Sequence, residues 1–317
     1  MPVFKDTIKN DRLELIFRLP RRQRESMRFD AAGCVARIVL DGKHQFCESE
    51  QIVAGRPDHH GLGLCGEFKW DDLACEVKPG EKFPKFGVGL LTQLPEGGPY
   101  SIRNHDRYTL FPFVPYETNY ELRETGAVFT QLPIPCLGLA AEIWREYRLM
   151  ENRLELITTV TNKGERDIHM AEYQHNFVSI DNLPIGPGYR LRLPFLKAIK
   201  KLEDSVADYN DKTIKIGDVI SVSGDTAVWK QSMDGRVVLY QIGTEDILPV
   251  PENREDMPFW KLSHDDSPAS VSEFIFNQPV KVVHWGVGHC MCVEAWLPVD
   301  AKPGESASWR HLWVFED

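Results

Sequence analysis

The sequence predicts an all-β protein, and three observations carry that prediction. Apolar residues recur mostly with a period of two, long amphipathic helical patterns are scarce, and 21 prolines with 23 glycines punctuate the 317 residues at short intervals. The clearest strand candidates are 34–40, 140–149, 153–161, 167–178, 237–242, 271–276, 280–285, 291–297 and 308–315. Within them, 146–162 reads as a hairpin: Glu151-Asn152 separates two strand-like runs, and Asn162-Lys163-Gly164 closes the second. The polar stretch 249–268 reads as a long functional loop. No repeat, low-complexity tract or Gly/Ser linker divides the chain, so a single domain over residues 1–317 is expected.

Composition narrows the function. A net charge of −10 argues against a nucleic-acid partner, which would be met by a basic face, and the Arg18, Arg21, Arg22, Arg24 and Lys197, Lys200, Lys201 groups read as solvated surface. No run approaches the roughly 18 apolar residues of a membrane span, so no membrane partner is expected. The charged start MPVFKDTIKNDRLEL lacks a secretory apolar core and favours the cytoplasm. Seven cysteines in no regular framework suit reduced thiols. Cys290 and Cys292 share one side of a strand, where burial is the favoured reading over metal binding.

The run EYRLMENRLELITTVTNKGERDIHMAEYQHNFVSID, residues 146–181, is similar to the centre of aldose 1-epimerases and related mutarotases. There a Glu-Asn turn and a Val-Thr-Asn strand end lead to a strand carrying His-Pro-Tyr-Phe-Asn-Leu; here that element reads His175-Asn176-Phe177-Val178. A second run, VEAWLPVDAKPGESASWRHLWVFED at 293–317, resembles the family's valine-glutamate segment followed by Pro-Gly-Glu and a final strand. A looser likeness joins His60-Gly61-Leu62-Gly63-Leu64-Cys65 to the Arg-Gly-Gly-Val-Pro-Ile-Cys run of hexose-6-phosphate mutarotases, with His59 or His60 in place of the arginine. Lys85-Phe86-Gly87-Val88-Gly89 stands where those relatives have His-Gly-Phe-Ala-Arg. The resemblance implies a large two-sheet β-sandwich, a supersandwich of the galactose mutarotase-like type, and a small-molecule sugar as partner.

It also implies the chemistry. Glu294 takes the place of the family's base and His175 that of its acid, in a reaction that interconverts sugar anomers without metal or organic cofactor. Strand alternation sets His169, Ala171, Tyr173, His175 and Phe177 on one face, and Cys290, Cys292, Glu294 and Trp296 on one face of the later strand. Aromatic surface beside titratable groups suits a pyranose site. The carboxylate is expected to favour imidazolium at His175, and the cation to favour ionised Glu294. His60, Glu67, Lys85, Arg103, His105, Tyr173 and Trp296 are the expected sugar contacts, with Arg107 a further candidate. A metal site on His59, His60, Glu67 and His105 is disfavoured, because neighbouring residues on a strand face opposite ways. A non-catalytic sugar binder and a lyase or hydrolase on the same fold are the competing readings.

Overall fold

The structure is a computed structural model that describes residues 6–20, 28–30, 32–50, 61–70, 73–100, 111–197, 199–203, 206–209, 212–233, 237–250 and 255–317. Among them the strands form three antiparallel sheets. The first has eleven strands, in the order Thr7–Lys9, Leu13–Arg18, Cys34–Leu40, Leu64–Lys69, Ile168–Asn176, Cys290–Ala301, Lys281–Val287, Val237–Gly243, Val206–Tyr209 and Lys212–Lys215, with His44–Gln45 paired to Cys34–Leu40. The second has ten: Ile220–Ser223, Thr226–Trp229, Tyr189–Arg192, Trp260–His264, Ser267–Ile275, Ser306–Glu316, Arg153–Asn162, Ala141–Met150, Gly126–Gln131 and Thr118–Leu122. Each takes strands from both halves of the chain. The expected two-sheet sandwich is the architecture found.

Alternation explains the layers. Met291, Val293, Ala295, Leu297 and Val299 point into the main apolar core between the sheets, where they meet Leu154, Leu156, Trp309 and Trp313 of the second. Phe17 on the first sheet packs against Phe129 and Tyr147 on the second, with ring centroids 5.3 and 5.1 Å away, and Phe46 meets Phe315 at 4.9 Å. Such pairs add about 0.5–1.5 kcal/mol each beyond the area they bury.

The expected hairpin is present. Met150 pairs with Arg153, Glu151 adopts a left-handed φ of 53°, and the Asn152 amide donates to the Phe315 carbonyl at 2.7 Å. The segment 249–268 differs from its expected loop. Trp260–His264 is a strand of the second sheet, with Trp260 opposite Glu273. Trp260, Leu262 and His264 are buried while Lys261 and Ser263 are less so, and Asp265-Asp266 makes the turn into the next strand. Its short period-two pattern is masked by the charged and proline-rich residues around it.

A third sheet of Lys82–Lys85, Gly89–Thr92 and Phe113–Pro115 lies beside the first. Its first hairpin ends with Lys85 paired to Gly89, which delivers the Lys85 ammonium to Glu67. Among the described residues no helix is long and apolar enough to cross a membrane, which leaves strand-based crossing unaddressed.

Candidate functional site

Register builds the site. Pairs between Ile168–Asn176 and Cys290–Ala301 run from Ile168 with Ala301 to Glu172 with Leu297, and pairing resumes at the bridge of Val178 with Met291. One register spans both, so Tyr173 lies opposite Trp296, His175 opposite Glu294 and Phe177 opposite Cys292. On the other flank, Leu64–Lys69 sets Glu67 opposite Tyr173 and Cys65 opposite His175. The structure thus brings together Glu67, Lys85, Tyr173, His175, Glu294 and Trp296. His60, Arg103 and His105, with His59 and Arg107, lie outside the described residues.

At the centre, His175 Nε2 is 3.3 Å from Glu294 Oε1, with the two side chains 1 and 6% exposed. The second Glu294 oxygen accepts the Trp296 indole N–H at 3.0 Å. The walls are aromatic. Trp296 stacks on Tyr173 at 4.4 Å between centroids, His175 stacks on Phe177 at 4.0 Å, and Phe29 and Trp285 present edges to the imidazole at 5.5 and 5.2 Å. Lys281 lies 3.7 Å over the Trp296 ring, and both are half-buried, so the face opens at this end.

Glu67 anchors the other end. It accepts from Lys85 at 2.8 Å, from Arg28 at 3.0 Å and from the Tyr173 hydroxyl, while Arg28 also reaches Glu50 at 3.1 Å. Burial pushes the Glu67 carboxyl up, but Lys85 and Arg28 outweigh it and hold the group far below the usual carboxylate range. Burial also lowers Lys85 to about 8, against the pull of Glu67. Burial, then the Glu67 charge, raises the Tyr173 hydroxyl well above its ordinary value.

The central pair behaves differently from expectation. Burial drives His175 well below the ordinary histidine range, with Arg28 adding to it. Burial raises Glu294 to about 7, opposed by the Trp296 hydrogen bond and Arg28 and reinforced by Glu67. Mutual attraction was expected to keep imidazolium beside carboxylate; removal from water disfavours both charges instead. Near pH 7 His175 is therefore uncharged, and Glu294 is divided between its acid and its carboxylate.

Arg28, Glu50 and Lys281 had no signal in the sequence. Arg28 and Glu50 lie outside the strand patterns, and Lys281 starts a strand whose partner is fixed only by the fold. Trp285, which the sequence did not single out as a site residue, presents its edge to His175. Phe177 was placed on the correct face by alternation alone.

Neither a known protein family nor a curated protein matches the sequence. Solved structures do. A galactose mutarotase-like protein from Lactobacillus casei superposes with a TM-score of 0.56 at 12% identity, covering 98% of this chain and 99% of its own. The Slr1438 protein from Synechocystis gives 0.56 at 13% identity, covering 98% and 94%. A galactose mutarotase-like protein from Clostridium acetobutylicum gives 0.52 at 9% identity, covering 98% and 94%. Likeness over nearly the whole of both chains, at identities this low, establishes the architecture: this chain has the galactose mutarotase-like fold.

Proposed function

We propose that the protein interconverts the anomers of an aldose or related sugar by acid–base catalysis, working as one domain over residues 1–317 in the cytoplasm. The observation that carries the reading is an imidazole and a carboxylate opposite one another at 3.3 Å, set between aromatic walls. Glu294 takes the proton from the anomeric hydroxyl as the bond between the anomeric carbon and the ring oxygen breaks. His175, kept neutral by its burial, lends its ring N–H proton to that ring oxygen as imidazole rather than imidazolium. Rotation about the first carbon–carbon bond and reversal of both transfers recloses the ring as the other anomer. The two groups touch, so the sugar does not lie between them. No step calls on an organic cofactor.

The solved structures support the reading through their fold and, in two cases, their mutarotase-like description. A hydrolase is less well supported, because it needs a second free carboxylate. Glu67 already accepts from Lys85, Arg28 and Tyr173. A sugar binder without turnover is favoured by one observation, the burial that opposes protonation of His175. Saturation-transfer NMR across a panel of hexoses separates the two. Exchange between anomers faster than buffer, lost in Glu294→Gln, supports catalysis; calorimetric binding with exchange at the buffer rate supports the binder.

A further inference from the structure

The face that carries the acid–base pair also carries a thiol. His175, Cys292 and Glu294 are all buried, and one ligand atom from each lies within 4.8 Å of the others. Imidazole nitrogen, thiolate and carboxylate are the donor types that Zn²⁺ takes, at about 2.0–2.3 Å in a tetrahedron. The 3.3 Å between His175 Nε2 and Glu294 Oε1 equals the edge that two such ligands span, roughly 3.3 Å. Cys292 needs to close on them by only on the order of 1 Å, a side-chain adjustment.

We propose that His175, Cys292 and Glu294 form a site for one thiophilic divalent cation of the Zn²⁺ class, and that its binding idles the acid–base pair. Charge balance favours it: one thiolate and one carboxylate neutralise a divalent ion, so the loaded site buries no net charge. The Cys292 proton leaves to solvent as the metal–sulphur bond forms. Trp296 donates to Glu294 Oε2, which orients the carboxylate and leaves Oε1 for the ion, and the Asn176 backbone N–H lies at the Cys292 sulphur. Cys290, on the same face, packs with Phe29, Phe177, Cys34 and Cys65 instead and is not part of the site. Lys85 makes its ion pair with Glu67, and Arg28 its ion pairs with Glu67 and Glu50.

Metal binding is independent of the sugar reading; only the idling of catalysis rests on it. The probe is Co²⁺, then Zn²⁺, added to the chelator-treated full chain. One equivalent of Co²⁺ is expected to give a thiolate-to-cobalt charge-transfer band that Zn²⁺ displaces. Cys290→Ser keeps the band, and Cys292→Ser loses it with affinity lowered more than about 100-fold. X-ray absorption of the Zn²⁺-loaded wild-type chain is the second measurement, for which no variant needs to fold. One sulphur at about 2.3 Å with nitrogen and oxygen at about 2.0 Å supports the site. No charge-transfer band in excess Co²⁺, a band that survives Cys292→Ser, or a shell without sulphur overturns it. Anomer exchange measured in chelator reports on the sugar reading by itself, and its inhibition by stoichiometric Zn²⁺ then tests the idling.

Discussion

From Glu172 to Asn176 the strand Ile168–Asn176 is buried on both faces, and the two treat buried carboxylates in opposite ways. On the inner face, Glu172 accepts from Gln174 at 2.6 Å, Trp309 at 3.1 Å and Arg145 at 3.3 Å. Deeper in the same layer, Glu273 accepts from His311 at 2.8 Å, Asn176 at 3.1 Å and the Trp260 indole. Gly66 makes room for this network, since a Cβ there would sit 2.7 Å from both Arg145 and Glu172. On the outer face, Glu294 has the Trp296 indole and a contact with His175. The number of donors supplied, rather than depth, separates a carboxylate that holds sheets together from one left able to exchange a proton. Glu67 shows that the outer face too can saturate an acid where it needs an anchor.

The largest effect expected from this contrast is on the inner face. Arg145 is 1% exposed and bridges Asp30 at 2.8 Å and Glu172 at 3.3 Å. Arg145→Met leaves two buried acids without their cation and is expected to cost about 3–5 kcal/mol, read as a lowered urea midpoint at pH 7. A loss below about 1 kcal/mol would show that the inner network is not structural. The matching change on the outer face, Glu294→Gln, is expected to leave the urea midpoint at or above wild type. It should lower anomer exchange by about 100- to 10,000-fold. A fall in stability equal to that of Arg145→Met would erase the distinction between the faces.

Much of this was legible in the sequence because alternation is a local property. Cys34–Leu40 was read to the residue, and the hairpin around Glu151-Asn152 to within one. Alternation also sorted Tyr173, His175 and Phe177 from Glu172, Gln174 and Asn176. It could not say that both sets are buried, because a polar inner face looks like a solvated one until Arg145, Trp309 and His311 arrive from the other sheet. Nor could it place His175 opposite Glu294. That pairing spans more than a hundred residues of chain, and only the resemblance to mutarotases joined them. Arg28 reaches Glu67 from a segment without strand pattern, so composition around it carried no hint.

A third expectation follows from the sign of the Glu294 shift, measured in chelator so that no metal contributes. Its folded value of about 7 lies above the ordinary 4.5, so the fold favours the protonated acid. That stabilisation is complete below pH 4.5 and is lost as pH rises through 7. The difference between wild type and Glu294→Gln in unfolding free energy should therefore move against wild type by about 3 kcal/mol between pH 4.5 and 8. A pH-independent difference would mean that Glu294 is solvated or fully paired, as Glu67 is.

The smallest effect comes from the neutral donor that Glu294 has among the described residues, the Trp296 indole. Trp296→Phe keeps an aromatic ring against Tyr173 but removes the indole N–H, which favours the ionised carboxylate. Loss of a hydrogen bond to a charged group is worth about 1.5–3 kcal/mol, part of which water entering at the Lys281 end recovers. The pH at which anomer exchange reaches half its maximum is expected to move to higher pH, with the plateau rate at alkaline pH little changed. Such a split between midpoint and plateau distinguishes a residue that tunes the base from one that merely packs beside it. A lowered plateau with an unmoved midpoint would assign Trp296 to holding the sugar, and would leave burial alone to set the proton affinity of Glu294.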